Sequence, residues 1–222
     1  MKLSKSNGNM YEWVTHMWSP FTGCPHQCSY CYVKNAWRDL PEKTTLQEPF
    51  PNLSSGKTIF IGHLCDMFAE GVKKEEVEKV LSYCKEWDNE YVFQTKNPQN
   101  LWKFLDYMPL KRMIGTTIET NRGPLLEKFS KAPHPMERSY GLSRIDGKKF
   151  LTIEPIMDFD VWELTELIKV ANPDFVNIGA DSKRHNLPEP TGEKVMALVE
   201  SLGKAGITIR KKINIERLLN SQ

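Results

Sequence analysis

The sequence has no second group of cysteines. Three of its five crowd into one run, Cys24-Pro25-His26-Gln27-Cys28-Ser29-Tyr30-Cys31, while Cys65 and Cys84 stand alone. That speaks against a zinc knuckle, which pairs two C-x2-C-like units across a longer loop. An odd cysteine count and the lack of a secretory signal speak against a disulfide framework, and reduced thiols lead us to expect a cytoplasmic protein. No apolar run approaches a membrane span, so no membrane partner is expected. Charge of one sign is missing too: 30 Lys and Arg against 28 Asp and Glu leave +2, which favours no polyanionic partner on bulk charge. Repeats, low-complexity blocks and linker-like stretches are absent, so the 222 residues read as one domain spanning 1–222.

What is present is the C-x3-C-x2-C triplet of Cys24, Cys28 and Cys31. Three close thiolates can wrap one corner of a metal cluster, and no fourth cysteine lies nearby to close the site. Clusters that only pass electrons take four cysteines, whereas a [4Fe–4S] cube held by three has one iron open to a small molecule. The alternative at this point is a Cys3His zinc site completed by His26 or His16.

Around the triplet, strand-like and helix-like segments alternate. Short β-rich runs are expected at 13–18, 58–64, 91–95, 113–118, 150–156, 175–179 and 208–213. Helical periodicity is expected at 72–87, 98–108, 161–171 and 193–205, for example with Val77, Val80, Leu81 and Cys84 on one face. This alternation predicts an α/β fold with a mostly parallel sheet. In such folds chemistry collects at the carboxyl ends of the strands, where the triplet, His63, Cys65, Asp66, Lys96, Glu119, Glu154 and Asp181 all fall.

The triplet, with Tyr30 before its last cysteine, resembles the signature of the radical S-adenosylmethionine (radical SAM) superfamily. Phe60-Ile61-Gly62-His63-Leu64-Cys65-Asp66, Phe93-Gln94-Thr95-Lys96, Ile114-Gly115-Thr116-Thr117-Ile118-Glu119 and Leu151-Thr152-Ile153-Glu154-Pro155 follow it in order. The series resembles the phage-associated three-cysteine-motif branch, similar to spore photoproduct lyase-like proteins. The resemblance implies a partial (β/α)6 radical SAM barrel with a [4Fe–4S] cluster and SAM at its mouth. It also implies reductive cleavage of SAM to a 5′-deoxyadenosyl radical, fed by a one-electron reductant such as flavodoxin. One departure stands out: Gly62-His63-Leu64-Cys65-Asp66 replaces the Gly-Gly-Glu-like stretch of many members.

Site roles follow as implications of that resemblance, each beside a plainer one. Tyr30 would pack beside the cluster and adenine, or simply in the core. Asp66 would take the SAM ammonium, or cap a helix. Lys96 would offset the SAM carboxylate, or sit in a solvated loop. Glu119 would accept from the ribose hydroxyls, or lie on the surface. Cys65 would donate a hydrogen atom to a substrate radical, or be a small buried hydrophobe. Glu154 would line the substrate side, or form a structural ion pair. Lys183 and Arg184 would hold phosphates of a nucleobase-containing substrate, nucleotide or DNA, or be dispersed surface charge. A small metabolite or a protein side chain is the alternative substrate. A non-catalytic zinc or nucleic-acid-binding module is the alternative of another class.

Overall fold

The computed structural model describes residues 2–8, 11–36 and 40–220. Ten strands occur in chain order: β1 (Ser4–Lys5), β2 (His16–Trp18), β3 (Phe21–Thr22), β4 (Thr45–Leu46), β5 (Thr58–Ile61), β6 (Glu90–Gln94), β7 (Arg112–Thr117), β8 (Lys148–Ile153), β9 (Phe175–Ile178) and β10 (Thr208–Lys211). Eight build one sheet in the order β1-β2-β5-β6-β7-β8-β9-β10. From β2 to β10 every neighbour is parallel, so six crossovers join seven strands in sequence order. Only the short edge strand β1 runs antiparallel, against β2. Among the described residues the sheet does not close on itself, and β10 ends it with Arg210 and Lys211, charges of the kind that blunt an exposed edge.

The helices are α1 (Tyr32–Ala36), α2 (Lys74–Lys85), α3 (Pro98–Leu101), α4 (Gly123–Leu126), α5 (Pro135–Ser143), α6 (Val161–Ala171), α7 (Gly192–Lys204) and α8 (Glu216–Leu219). Helix α2 buries Val77, Val80, Leu81 and Cys84, the stripe its spacing predicts; Glu75 and Glu76 open it and Lys85 closes it, matching the helix dipole. Asn172, in the left-handed region at φ 49°, ends α6. The helix expected over 98–108 is broken. After α3 the chain tightens into a 3-10 stretch, Trp102–Tyr107, that still buries Phe104.

Strand alternation sorts the core into two sides. Ile59, Ile61, Tyr91, Phe93, Leu151, Ile153, Val176 and Ile178 pack outward against Val77 and Leu81 of α2, Leu164 and Ile168 of α6, and Leu198 and Leu202 of α7. Phe60, Val92, Phe150 and Phe175 face the other way and pack with Tyr11 and Val14. Phe150 and Phe175 stack at 5.7 Å, and Tyr11 meets Phe150 edge-on at 5.4 Å. Each fully buried ring stabilises the fold by roughly 1.5–3 kcal/mol through area alone. The aromatic floor leaves polar inner-face positions towards the strand ends, where the Tyr11 hydroxyl donates to Gln94 Oε1 (2.6 Å) and meets Thr152 Oγ1 (2.8 Å). No helix among the described residues is long and apolar enough to cross a membrane.

Candidate active site

The cysteine loop, with α1, lies between β3 and β4, which pair antiparallel as a long-looped hairpin after β2. Gly23 opens it at φ +79°, and a Cβ there would stand 2.2 Å from the Lys43 carbonyl oxygen, so only glycine fits. Backbone bonds then fasten the loop on both sides. Cys24 N donates to Pro41 O (2.8 Å), Ser29 N to Phe129 O (2.8 Å), and Lys131 N to His26 O (2.8 Å). Gln27, itself left-handed at φ 46°, returns its side-chain amide to Cys24 O at 2.7 Å. Cys28 and Tyr30 are buried beside Leu126, Met157 and Leu187, with Cys31 partly buried against them. Cys28 Sγ meets Ser130 Oγ at 3.1 Å. Burial pushes the Cys24 thiol up to about 12, with Asp66 adding to it, and burial also raises Cys31.

Asp66, after β5, turns out to be a clamp on this loop. Its Oδ2 accepts from His26 Nε2 (2.7 Å), Thr95 Oγ1 (3.0 Å) and Lys96 N (2.8 Å), and its Oδ1 from Phe68 N (3.1 Å). Three donors crowd Oδ2, and Oδ1 takes one. Burial alone would raise the Asp66 pKa, but His26 and these hydrogen bonds outweigh it and hold the carboxyl below its usual range. The carboxylate expected to take a SAM ammonium thus spends Oδ2 on the protein and has a single donor on Oδ1. No helix starts here for it to cap either; the next one is α2, eight residues on.

Glu119, after β7, lies at the centre of a second buried group and is 0 % exposed, so it is neither a surface carboxylate nor an open acceptor for ribose. Its Oε1 accepts from Tyr30 Oη (2.6 Å) and Lys96 Nζ, and its Oε2 from Arg138 Nη1 (2.9 Å). Burial would raise its pKa; Lys96 and Arg138 win and pull it down to about 2. Lys96 Nζ also donates to Tyr30 Oη (3.0 Å) and lies 4.8 Å from that ring's centroid. Burial and the adjacent Glu119 keep Tyr30 a neutral phenol. Tyr30, placed by its sequence position beside the cysteines, thus carries the contact from the loop to Lys96 and Glu119. Arg138 was not singled out by the sequence. It sits on α5, whose buried face is Arg138, Ser139, Gly141 and Leu142 and so lacks apolar periodicity. The readable signal was His134-Pro135, a cap followed by proline at the first helical position.

The other expected residues lie around the same rim. Cys65 Sγ stands 3.8 Å from Ser19 Oγ; burial pushes its thiol far up, with Cys24 and Asp66 adding to the effect, so it keeps its S–H. Glu154, just past β8, pairs with Lys212 Nζ (2.5 Å) and accepts from Asn214 Nδ2 (2.8 Å). It follows inner-facing Phe150 and Thr152 at two-residue spacing, so it joins a structural ion pair while facing the lumen. Lys183 and Arg184 are exposed on the loop after β9, which Asp181 organises through Lys183 N (3.1 Å) and the His185 ring (2.6 Å). Cys84 is wholly buried in the main core.

Of the two histidines the zinc reading calls on, His16 lies on β2 opposite Lys5 with its ring bonded to Thr15 Oγ1 at 2.9 Å. His26 gives Nε2 to Asp66, which leaves the ligating capacity of Nδ1 intact. Among the described residues no group of three His, Cys, Asp or Glu side chains converges on one ion. A [4Fe–4S] cube takes each thiolate on a different iron, which spreads the sulfurs rather than converging them. Three thiols, an apolar bed and a cationic neighbourhood suit such a cube with one open iron.

No protein-family model and no curated protein matches the sequence. Solved structures do match in shape. A cysteine-to-serine mutant of spore photoproduct lyase superposes with TM-score 0.68 at 11 % identity, over 96 % of this chain and 80 % of that one. A double mutant of the same enzyme with bound AdoMet and dinucleoside spore photoproduct gives 0.57 at 12 %, over 86 % and 62 %. Streptococcus suis SuiB bound to precursor peptide SuiA gives 0.57 at 9 %, over 88 % and 48 %. The chain thus has the open, mostly parallel barrel fold of the radical SAM enzymes spore photoproduct lyase and SuiB.

Proposed function

We propose that this protein is a radical SAM enzyme. Cys24, Cys28 and Cys31 would hold a [4Fe–4S] cluster, with S-adenosylmethionine on the open iron. The observation that carries this reading is a three-cysteine loop, with no fourth cysteine in its run, at the carboxyl-end mouth of this fold. Cluster and SAM supply the 5′-deoxyadenosyl radical; the chain's residues bind, orient and exclude water. The Asp66–His26 clamp fixes the loop, and Lys96 keeps a partly exposed ammonium within reach of a carboxylate such as that of SAM. Tyr30 stiffens the apolar bed. Cys65, held as S–H by its burial, would return a hydrogen atom to a substrate radical.

For substrate we propose a nucleobase, free or within DNA such as a modified base of phage DNA. The likeness to an enzyme solved with a dinucleoside photoproduct supports this, as does the exposed Lys183-Arg184 pair at the rim. A protein side chain is the second reading, favoured by the likeness to SuiB with its precursor peptide. The chemistry suits a reducing cytoplasm with a flavodoxin-like donor.

The test is anaerobic reconstitution. Wild type and Cys84→Ala should be brown, hold about four irons per chain and convert SAM to methionine and 5′-deoxyadenosine under dithionite. Cys24→Ala, Cys28→Ala and Cys31→Ala should lose all three properties. Cys65→Ala should keep iron and SAM cleavage yet lose clean product formation once a substrate is found. A colourless protein with one zinc would overturn the reading.

A further inference from the structure

Within the group around Glu119 the buried charges do not balance. Lys96 and Arg138 are two cations, and Glu119 is the one carboxylate between them. The Arg138 and Glu119 side chains are 0 % exposed and Lys96 is 18 % exposed, so water screens the group poorly. Arg138 also has an orphan: its Nη2 is buried without a hydrogen-bond partner among the described residues, while Nε and Nη1 are taken by Pro133 O, Thr117 O and Glu119. A buried surplus of positive charge is costly unless something anionic stands nearby. Two of the thiols flank the residue that Lys96 touches. Lys96 is bonded to Tyr30, which lies between Cys28 and Cys31, and both cysteines couple electrostatically to Lys96. Asp66 lies on the Cys24 side of the loop, where its negative charge raises the Cys24 thiol, so the surplus is local to the Cys28–Cys31 side.

We infer that Lys96 and Arg138, held by Glu119 and Tyr30, form a built-in countercharge that raises the reduction potential of the group bound by Cys24, Cys28 and Cys31. This rests on the cluster reading above. Three thiolates on a [4Fe–4S]2+ core sum to one negative charge. Uptake of one electron, from dithionite or a flavodoxin-like reductant, makes it two, with no bond made or broken. A net positive neighbour in a poorly screened site stabilises the more negative state, so the electron goes on more readily. Glu119 has a double part: it anchors both cations and trims their charge from two to one. Lys96 and Arg138 are therefore positioning residues for the electron, acting through space rather than by touching substrate.

The experiment is a spectroelectrochemical titration of the reconstituted protein without SAM, so that any contact of Lys96 with SAM is out of play. Lys96→Gln should be about tenfold less reduced than wild type at the same ambient potential, a shift of about 59 mV downward for a one-electron couple. Glu119→Gln should shift the other way. Arg138→Lys, which keeps the charge and loses the planar fork, should stay near wild type. Iron content and thermal unfolding of each apo protein are measured in parallel, because a purely structural role would move those and leave the potential of the surviving clusters alone. Opposite shifts for Lys96→Gln and Glu119→Gln support the countercharge. Equal potentials, or shifts of the same sign, in variants that hold their iron overturn it. Failure of wild type itself to take up iron would overturn the cluster reading instead.

Discussion

His26 Nε2 and Asp66 Oδ2 stand 2.7 Å apart, both buried, and join the cysteine loop to the loop after β5 across forty residues of sequence. The contact makes Asp66 a part of the loop's frame. Asp66→Asn keeps the shape but turns one acceptor into a donor facing other donors. We expect a stability loss of roughly 1–3 kcal/mol by urea unfolding and reduced iron retention. SAM affinity among molecules that keep iron should be nearly unchanged. A variant with normal stability but no SAM binding, by calorimetry, would return Asp66 to the ligand.

Acid should weaken the protein through Glu119. Its folded pKa of about 2 lies below the ordinary 4.5, so its contribution is complete above about 4.5 and is lost as pH falls from there towards 2. Urea midpoints measured down this range should fall more steeply for wild type than for Glu119→Gln. Parallel slopes would mean that the carboxylate gains nothing from Lys96 and Arg138.

Two glycine substitutions separate backbone strain from collision. Gly147 has φ +95° and open space around it, whereas Gly23 combines φ +79° with the Lys43 carbonyl 2.2 Å from a Cβ. Gly147→Ala should cost about 1 kcal/mol. Gly23→Ala should cost clearly more and should shed iron, because the cysteine loop must shift to make room. Equal thermal shifts for the two would show that the hairpin yields easily.

If the substrate lies within DNA, Lys183 and Arg184 should contact phosphates. The log-log slope of affinity against salt should fall by about 0.9 per contact on duplex, and about 0.7 on single strands, in Lys183→Ala/Arg184→Ala. An extruded base should also make single-stranded or mismatched DNA bind better than matched duplex. Binding assays on the SAM-loaded protein check both; absence of DNA binding at low salt would move the substrate to a small molecule or a peptide.

The parallel strands were legible because each is a short apolar run between helix-like segments. Thr58–Ile61 and Phe175–Ile178, for instance, are flanked by polar turns. The two-residue strands β1, β3 and β4 carry too little pattern to read, and α5 hides because it buries arginine and serine. At the site, strand-end position picked out residues that the fold gathers at one end of the sheet, but not their partners. Asp66 with His26, and Glu119 with Tyr30 and Arg138, meet only through the fold. Isolated carboxylates at a barrel mouth look like ligands in sequence. Tertiary pairing turned these two into supports.

The unclosed sheet, ending at β1 on one side and β10 on the other, bears on what such a protein can act upon. A ring of strands takes in only what fits through its opening, and a long chain would have to be threaded or presented by an end. A gapped wall works as a slot: the middle of a polymer can be laid in sideways, one unit turned inward while both arms run on outside.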